Sequence, residues 1–126
     1  MATILVAEDD AHISRVVSMW LTQKGHRVLE AHNGVRALEM LRGGTIDILI
    51  SDVNMPVMNG IDLVIIACRE KLVGTGVILL SSRADQAGIR QALAGLKVTL
   101  RPKPFSPSGL ARDVERMLAD QSVAAE

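Results

Sequence analysis

A single cysteine, Cys68, excludes an intrachain disulfide and fits a reducing compartment. There is no surplus of either charge. Fourteen basic and fourteen acidic residues cancel, and no Lys/Arg cluster gives the electrostatic footprint of a nucleic-acid surface. No apolar stretch approaches the roughly 20 residues of a membrane span. No basic region with an apolar segment, as in a signal peptide, precedes the first strand-like run. Internal repeats, linkers and low-complexity stretches are also missing. What remains is 126 residues, enough to bury a core without disulfide or metal staples. These absences predict one domain over residues 1–121 with a frayed tail over 122–126. They also predict a cytoplasmic location and no contact with nucleic acid or membrane.

The pattern that is present is an alternation. Apolar runs at Ile4–Ala7, Val28–Leu29, Ile46–Ser51, Val77–Leu80 and Lys97–Leu100 read as strands. Between them Ile13, Val16, Val17, Trp20 and Leu21 follow helical spacing up to Gly25, and Asn33-Gly34 opens a second helix carrying Ala37, Leu38 and Leu41. A third helix is predicted from Asn59-Gly60 to about Glu70, with Ile61, Val64, Ile65 and Cys68 as its apolar stripe and Leu63 and Ile66 outside it. The fourth spans roughly Ala84–Leu96 and the fifth Pro107–Ala119. Five β-α pairs in strict alternation predict an α/β fold: a flavodoxin-like, doubly wound (βα)5 three-layer sandwich with a five-stranded parallel sheet in the order 2-1-3-4-5.

Chemistry collects at the carboxyl ends of those strands, where open parallel sheets bind ligands. The patches are Glu8-Asp9-Asp10, Asp52 with Met55-Pro56 behind it, Ser81-Ser82 and Lys103-Pro104-Phe105. Asp10 directly precedes the first helical stripe and reads as its N-cap. Glu8, Asp9 and Asp52 would place three carboxylates close together, and a hard divalent cation is the usual compensation. Mg²⁺ prefers oxygen ligands and needs only one or two carboxylates. With Lys103 and Mg²⁺ the formal charge falls from minus three to about zero, so that a phosphoryl group would be attracted. Phosphoryl transfer asks for an in-line nucleophile and neutralised equatorial oxygens. Asp52 can be that nucleophile, with Lys103 and Ser81 holding phosphate oxygens. Taken singly, each residue could equally be a solvated strand end, a cap or a surface lysine. The four together, on successive strand ends, are what the structural reading does not account for.

Those motifs, ILVAEDD, DILISDVNMPVMNG, VILLSSR and KPF, in this order and at this spacing, resemble the receiver domain of bacterial two-component response regulators, single-domain chemotaxis-type members included. The resemblance covers nearly the whole chain. It implies that Asp52 is the phosphoacceptor, that Asp9 binds Mg²⁺ directly and Glu8 through water, and that the backbone carbonyl of Asn54 is a further ligand. It implies Ser81 as the switch hydroxyl, Ser82 as the small residue beside it, and Lys103 as the phosphate-binding lysine before a cis bond to Pro104. Asn54 and Arg83 would govern the lifetime of the acyl phosphate. The implied partners are a sensor histidine kinase or phosphotransfer protein and a downstream effector or output domain; homodimer formation is left open. The domain would not be an enzyme beyond Mg²⁺-dependent self-phosphorylation and autodephosphorylation. The implied responsive face is the fourth helix, fifth strand and fifth helix, with Arg90, Gln91, Lys97, Arg101 and Arg112.

The chain also departs from that family. Leu100 stands where an aromatic residue often lies three positions before the lysine, Pro102 adjoins the lysine, and Gly95-Leu96-Lys97 replaces the customary Gly-Ala pair. Two other classes therefore stay in view. One is a pseudo-receiver acting mainly as a binding or dimerisation module. The other is an aspartyl-phosphate hydrolase, although the catalytic acid expected two residues after the nucleophile is Asn54. Flavodoxin is disfavoured because no Ser/Thr/Gly-rich phosphate loop follows the first strand.

Overall fold

Side chains alternate across a strand, so a strand that is apolar at every position must be covered on both faces. The elements bear this out: β1 (Thr3–Ala7), α1 (Ala11–Gln23), β2 (Arg27–Ala31), α2 (Gly34–Gly43), β3 (Ile46–Asp52), α3 (Gly60–Arg69), β4 (Val73–Ser82), α4 (Gln86–Ala92), β5 (Val98–Lys103) and α5 (Pro107–Ala125). The structure is a computed structural model and describes residues 2–82, 86–103 and 105–125, with side chains described as far as residue 120. All neighbouring strands are parallel, in the expected order β2-β1-β3-β4-β5. Leu5, Leu49 and Leu79 point to the face that also buries Leu41, Leu63 and Val64. Ile4, Val6, Ile48, Ile50, Ile78 and Leu80 point to the other, with Val17, Leu21, Leu110 and Val114.

Three helices begin as their sequences dictate. The Asp10 carboxylate accepts the N–H groups of His12 and Ile13 at 2.9 and 3.2 Å, which confirms it as the cap of α1. Asn33 accepts from Arg36 at 2.8 Å and Asn59 from Asp62 at 2.9 Å, capping α2 and α3.

Several boundaries and one stripe differ from the sequence reading. In α3 the fully buried side chains are Leu63, Val64 and Ala67, not a stripe through Ile61, Val64, Ile65 and Cys68. Ile61, Ile65, Ile66 and Cys68 are partly buried against the same core. The helix lies against both the sheet and α2, so its apolar arc is wider than one stripe, and burial explains the surplus. Strand β4 starts at Val73, earlier than expected. Strand β5 extends beyond Leu100 through Pro102 to Lys103, which sit opposite Ser81 and Ser82. The proline is tolerated because β5 is an edge strand with one neighbour. Helical backbone in α5 continues past Ala119 to Ala125, through most of the expected tail. The described part of α4 is short, Gln86–Ala92. Arg83, Ala84 and the peptide between Lys103 and Pro104 involve positions outside the described residues.

Candidate functional site

Parallel pairing of β1 with β3 sets Ala7 opposite Ser51, which brings Glu8, just past the end of β1, alongside Asp52, the last residue of β3. Glu8 is 1% exposed and Asp52 4%, while Asp9, next in the chain, is exposed. Glu8, Asp9 and Asp52 each offer a carboxylate oxygen within 4.8 Å of the others. Lys103, from the end of β5, places Nζ 2.8 Å from Asp52 Oδ1 and 4.0 Å from Glu8 Oε1. The ammonium is close enough for an ion pair but not aligned for a hydrogen bond, and both carboxylate oxygens are buried without a hydrogen-bond partner. Ser81 follows Leu80, the register partner of Asp52, and its Oγ is likewise buried and without a partner. Asn54 lies exposed in the loop after β3, and Ser82 is half-buried at the end of β4.

The electrostatics follow from this crowding. Burial strips water from the Glu8 carboxyl and, with the neighbouring Asp52 charge and a hydrogen bond shared with Asp9, raises its pKa from 4.5 to about 7; the Asp10 amide and Lys103 pull the other way. One lysine therefore does not compensate three acids. A buried polar atom without a partner is expensive. Five such side-chain atoms occur among the described residues, and three of them, Glu8 Oε1, Asp52 Oδ1 and Ser81 Oγ, lie at this one sheet edge. Clustered carboxylate oxygens with uncompensated charge suit a hard, oxygen-preferring cation, so the residues fit Mg²⁺.

The backbone beneath these groups is fixed by contacts that the sequence did not reveal. The Glu8 N–H donates to the Ala31 carbonyl at 2.9 Å. The Glu8 carbonyl accepts from His32 Nδ1 at 3.1 Å, with the ring standing in for the next rung of the β1–β2 ladder. The Ser51 hydroxyl donates to the Asp52 carbonyl at 2.9 Å. At Gly60, the first residue of α3, a Cβ would stand 2.0 Å from that same carbonyl, so only glycine lets the helix approach the strand end. The Asn-Gly pair announced a helix start; the close approach behind it needs the fold.

Between Asp52 and α3 the chain makes a three-residue turn of the rarer, strained hand. The Met58 N–H donates to the Pro56 carbonyl at 2.8 Å, with Val57 between them at φ +72°. A β-branched residue is disfavoured there by on the order of 1–2 kcal/mol. The turn is held from both sides. Gly60 N–H donates to the Val53 carbonyl at 2.8 Å, and Gly34 of α2 packs so closely on Met58 that a Cβ would come within 2.2 Å of its carbonyl oxygen.

Fold and site together define a receiver-type domain: five β-α units with an acidic crevice at the point where strand order reverses. The family model for the response regulator receiver domain matches residues 4–115, and the chain belongs to that family. It is 38% identical over 122 residues to the sensor kinase CckA of Brucella abortus; the match takes in 95% of this chain but 13% of that protein. It is 33% identical over 122 residues to a chemotaxis protein CheY homolog of Campylobacter jejuni, covering 94% of each. Among solved structures, Vibrio cholerae chemotaxis protein CheY4 superposes with a TM-score of 0.80 at 30% identity, over 93% of this chain and 98% of that one. The receiver domain from the hybrid histidine kinase CckA gives a TM-score of 0.74 at 36% identity, over 92% and 98%. Receiver domains are phosphoacceptor signalling domains of two-component systems, not enzymes in the ordinary sense, and bind Mg²⁺ at an acidic pocket. No described helix is long and apolar enough to cross a membrane.

Proposed function

We propose that this chain accepts a phosphoryl group on Asp52 and passes the signal on through a change in partner binding. One observation carries the reading: three buried oxygens without hydrogen-bond partners, from Glu8, Asp52 and Ser81, lie at the sheet edge where Lys103 reaches the two carboxylates. An Asp52 carboxylate oxygen forms the new bond to phosphorus. The bond from phosphorus to the donor breaks, and its electron pair leaves with the imidazole of a phosphohistidine or the acetate of acetyl phosphate. Asp52 is a carboxylate, so no general base is needed. Lys103 moves its charge from Asp52 to a phosphoryl oxygen, and the Ser81 hydroxyl donates to another.

Asp9 and Asp52 would hold Mg²⁺ with the Asn54 carbonyl, and Glu8 would act through water. The ion, when bound, supplies positive charge to the phosphoryl oxygens. The donor is a sensor histidine kinase or phosphotransfer protein in the cytoplasm. The regulated partner meets the face of α4, β5 and α5, where Arg90, Gln91, Lys97 and Arg112 are exposed. Arg101 leaves that set, because both its Nε and its Nη2 (2.7 Å) engage the buried Asp113 carboxylate of α5.

Acetyl phosphate with Mg²⁺ should label the wild-type chain, and Asp52→Asn should abolish the label while the circular dichroism spectrum stays native. Label retained at wild-type level in that variant would place the nucleophile elsewhere. A wild-type chain that takes no label would favour the pseudo-receiver.

A further inference from the structure

Among the exposed large hydrophobic side chains of the described residues, Val57 is the most exposed, at 84%, and it is the one held at positive φ. The two facts belong together. The side chain gains almost no packing within its own chain, and its backbone is strained in a turn that the neighbouring contacts enforce. Glycine or asparagine would occupy the same turn with less strain. Among the described residues nothing compensates for a valine. The residue stands five positions after Asp52, in the loop that joins the buried carboxylate to α3, with Pro56 and Asn54 exposed around it. Asp52 is itself 4% exposed, so a macromolecule that reaches it must cover the rim of the crevice, this loop included. A small phosphodonor need not.

We propose that Val57 is a contact and specificity residue for the protein that delivers the phosphoryl group, its side chain entering a shallow apolar pocket on the donor's phosphohistidine-bearing domain. This rests on the reading of Asp52 as the phosphoacceptor. Strain and contact make opposite demands on the same position, and that separates them by experiment. Val57→Asn relieves the backbone and removes the apolar knob. Val57→Ile keeps both.

The test uses the full chain and two donors: acetyl phosphate, and an autophosphorylated histidine kinase chosen because it labels the wild-type chain. For Val57→Asn the thermal midpoint should rise and labelling by acetyl phosphate should stay within about twofold of wild type. Its rate of transfer from the kinase should fall about fivefold or more, and Val57→Ile should transfer at the wild-type rate. Transfer from the kinase at the wild-type rate in Val57→Asn would overturn the proposal. So would a parallel loss with both donors, because the turn would then be shaping the site and not the contact. Kinase-derived label retained in full by Asp52→Asn would remove the phosphoacceptor reading beneath it.

Discussion

The two sides of the sheet are built to different standards. In β1 and β3 every residue but Thr3 and Asp47 is buried, and the apolar side chains Ile4, Leu5, Ile48, Leu49 and Ile50 are fully enclosed. In β5 no residue is buried, and the described part of α4 buries only Ile89. The carboxylates stand on the tight side and the lysine arrives from the loose one. Acids that repel one another need a rigid base, since any looseness would let them part. A lysine that, under the proposed function, trades one oxygen for another can use a strand with room to shift, here tied to α5 through Arg101 and Asp113.

The sharpest test of that contrast compares leucines on one face of the sheet. Leu49 of β3 is fully buried, whereas Leu100 of β5 is partly buried against the same core cluster. Leu49→Ala should cost about 3–4 kcal/mol of unfolding free energy in urea, and Leu100→Ala only about 1 kcal/mol. Equal losses would mean that the two sides are equally well packed.

A smaller effect concerns the strain stored on the tight side. Glu8 has a folded pKa of about 7 against 4.5 for the ordinary carboxyl. The folded state therefore keeps a proton that the unfolded chain gives up first. Its contribution is fully present below pH 4.5 and is lost as the pH rises through 7. In metal-free buffer the wild type should lose on the order of 2 kcal/mol relative to Glu8→Gln across that window. A stability difference between the two that does not change with pH would show that Glu8 is not under the stress its burial implies.

The smallest effect belongs to the loose side. A phosphoryl mimic should quicken or slow amide exchange modestly in α4 and β5 while leaving β1 and β3 unchanged. A small response is expected because Leu100 stands where the family often carries an aromatic residue, and a leucine offers less apolar surface to move between solvent and core. Changes confined to α3 would move the responsive face elsewhere.

How much of this could be read without coordinates depended on the range of each interaction. The five β-α pairs, the caps at Asp10, Asn33 and Asn59 and the placing of acids, serine and lysine at successive strand ends follow from local pattern: a two-residue or 3.6-residue period, and side chains that satisfy their own backbone. The sequence therefore determined the fold class and the candidate residues. Tertiary structure alone decided that Glu8 is buried and Asp9 exposed, that Lys103 lies 2.8 Å from Asp52, that His32 completes the ladder beside Glu8, and that Val57 is strained and projects into solvent. Each of these depends on residues far apart in the chain or on neighbouring elements packing together. Burial, and with it the energy of a charge or an unmet hydrogen bond, is a property of the surroundings and not of the residue.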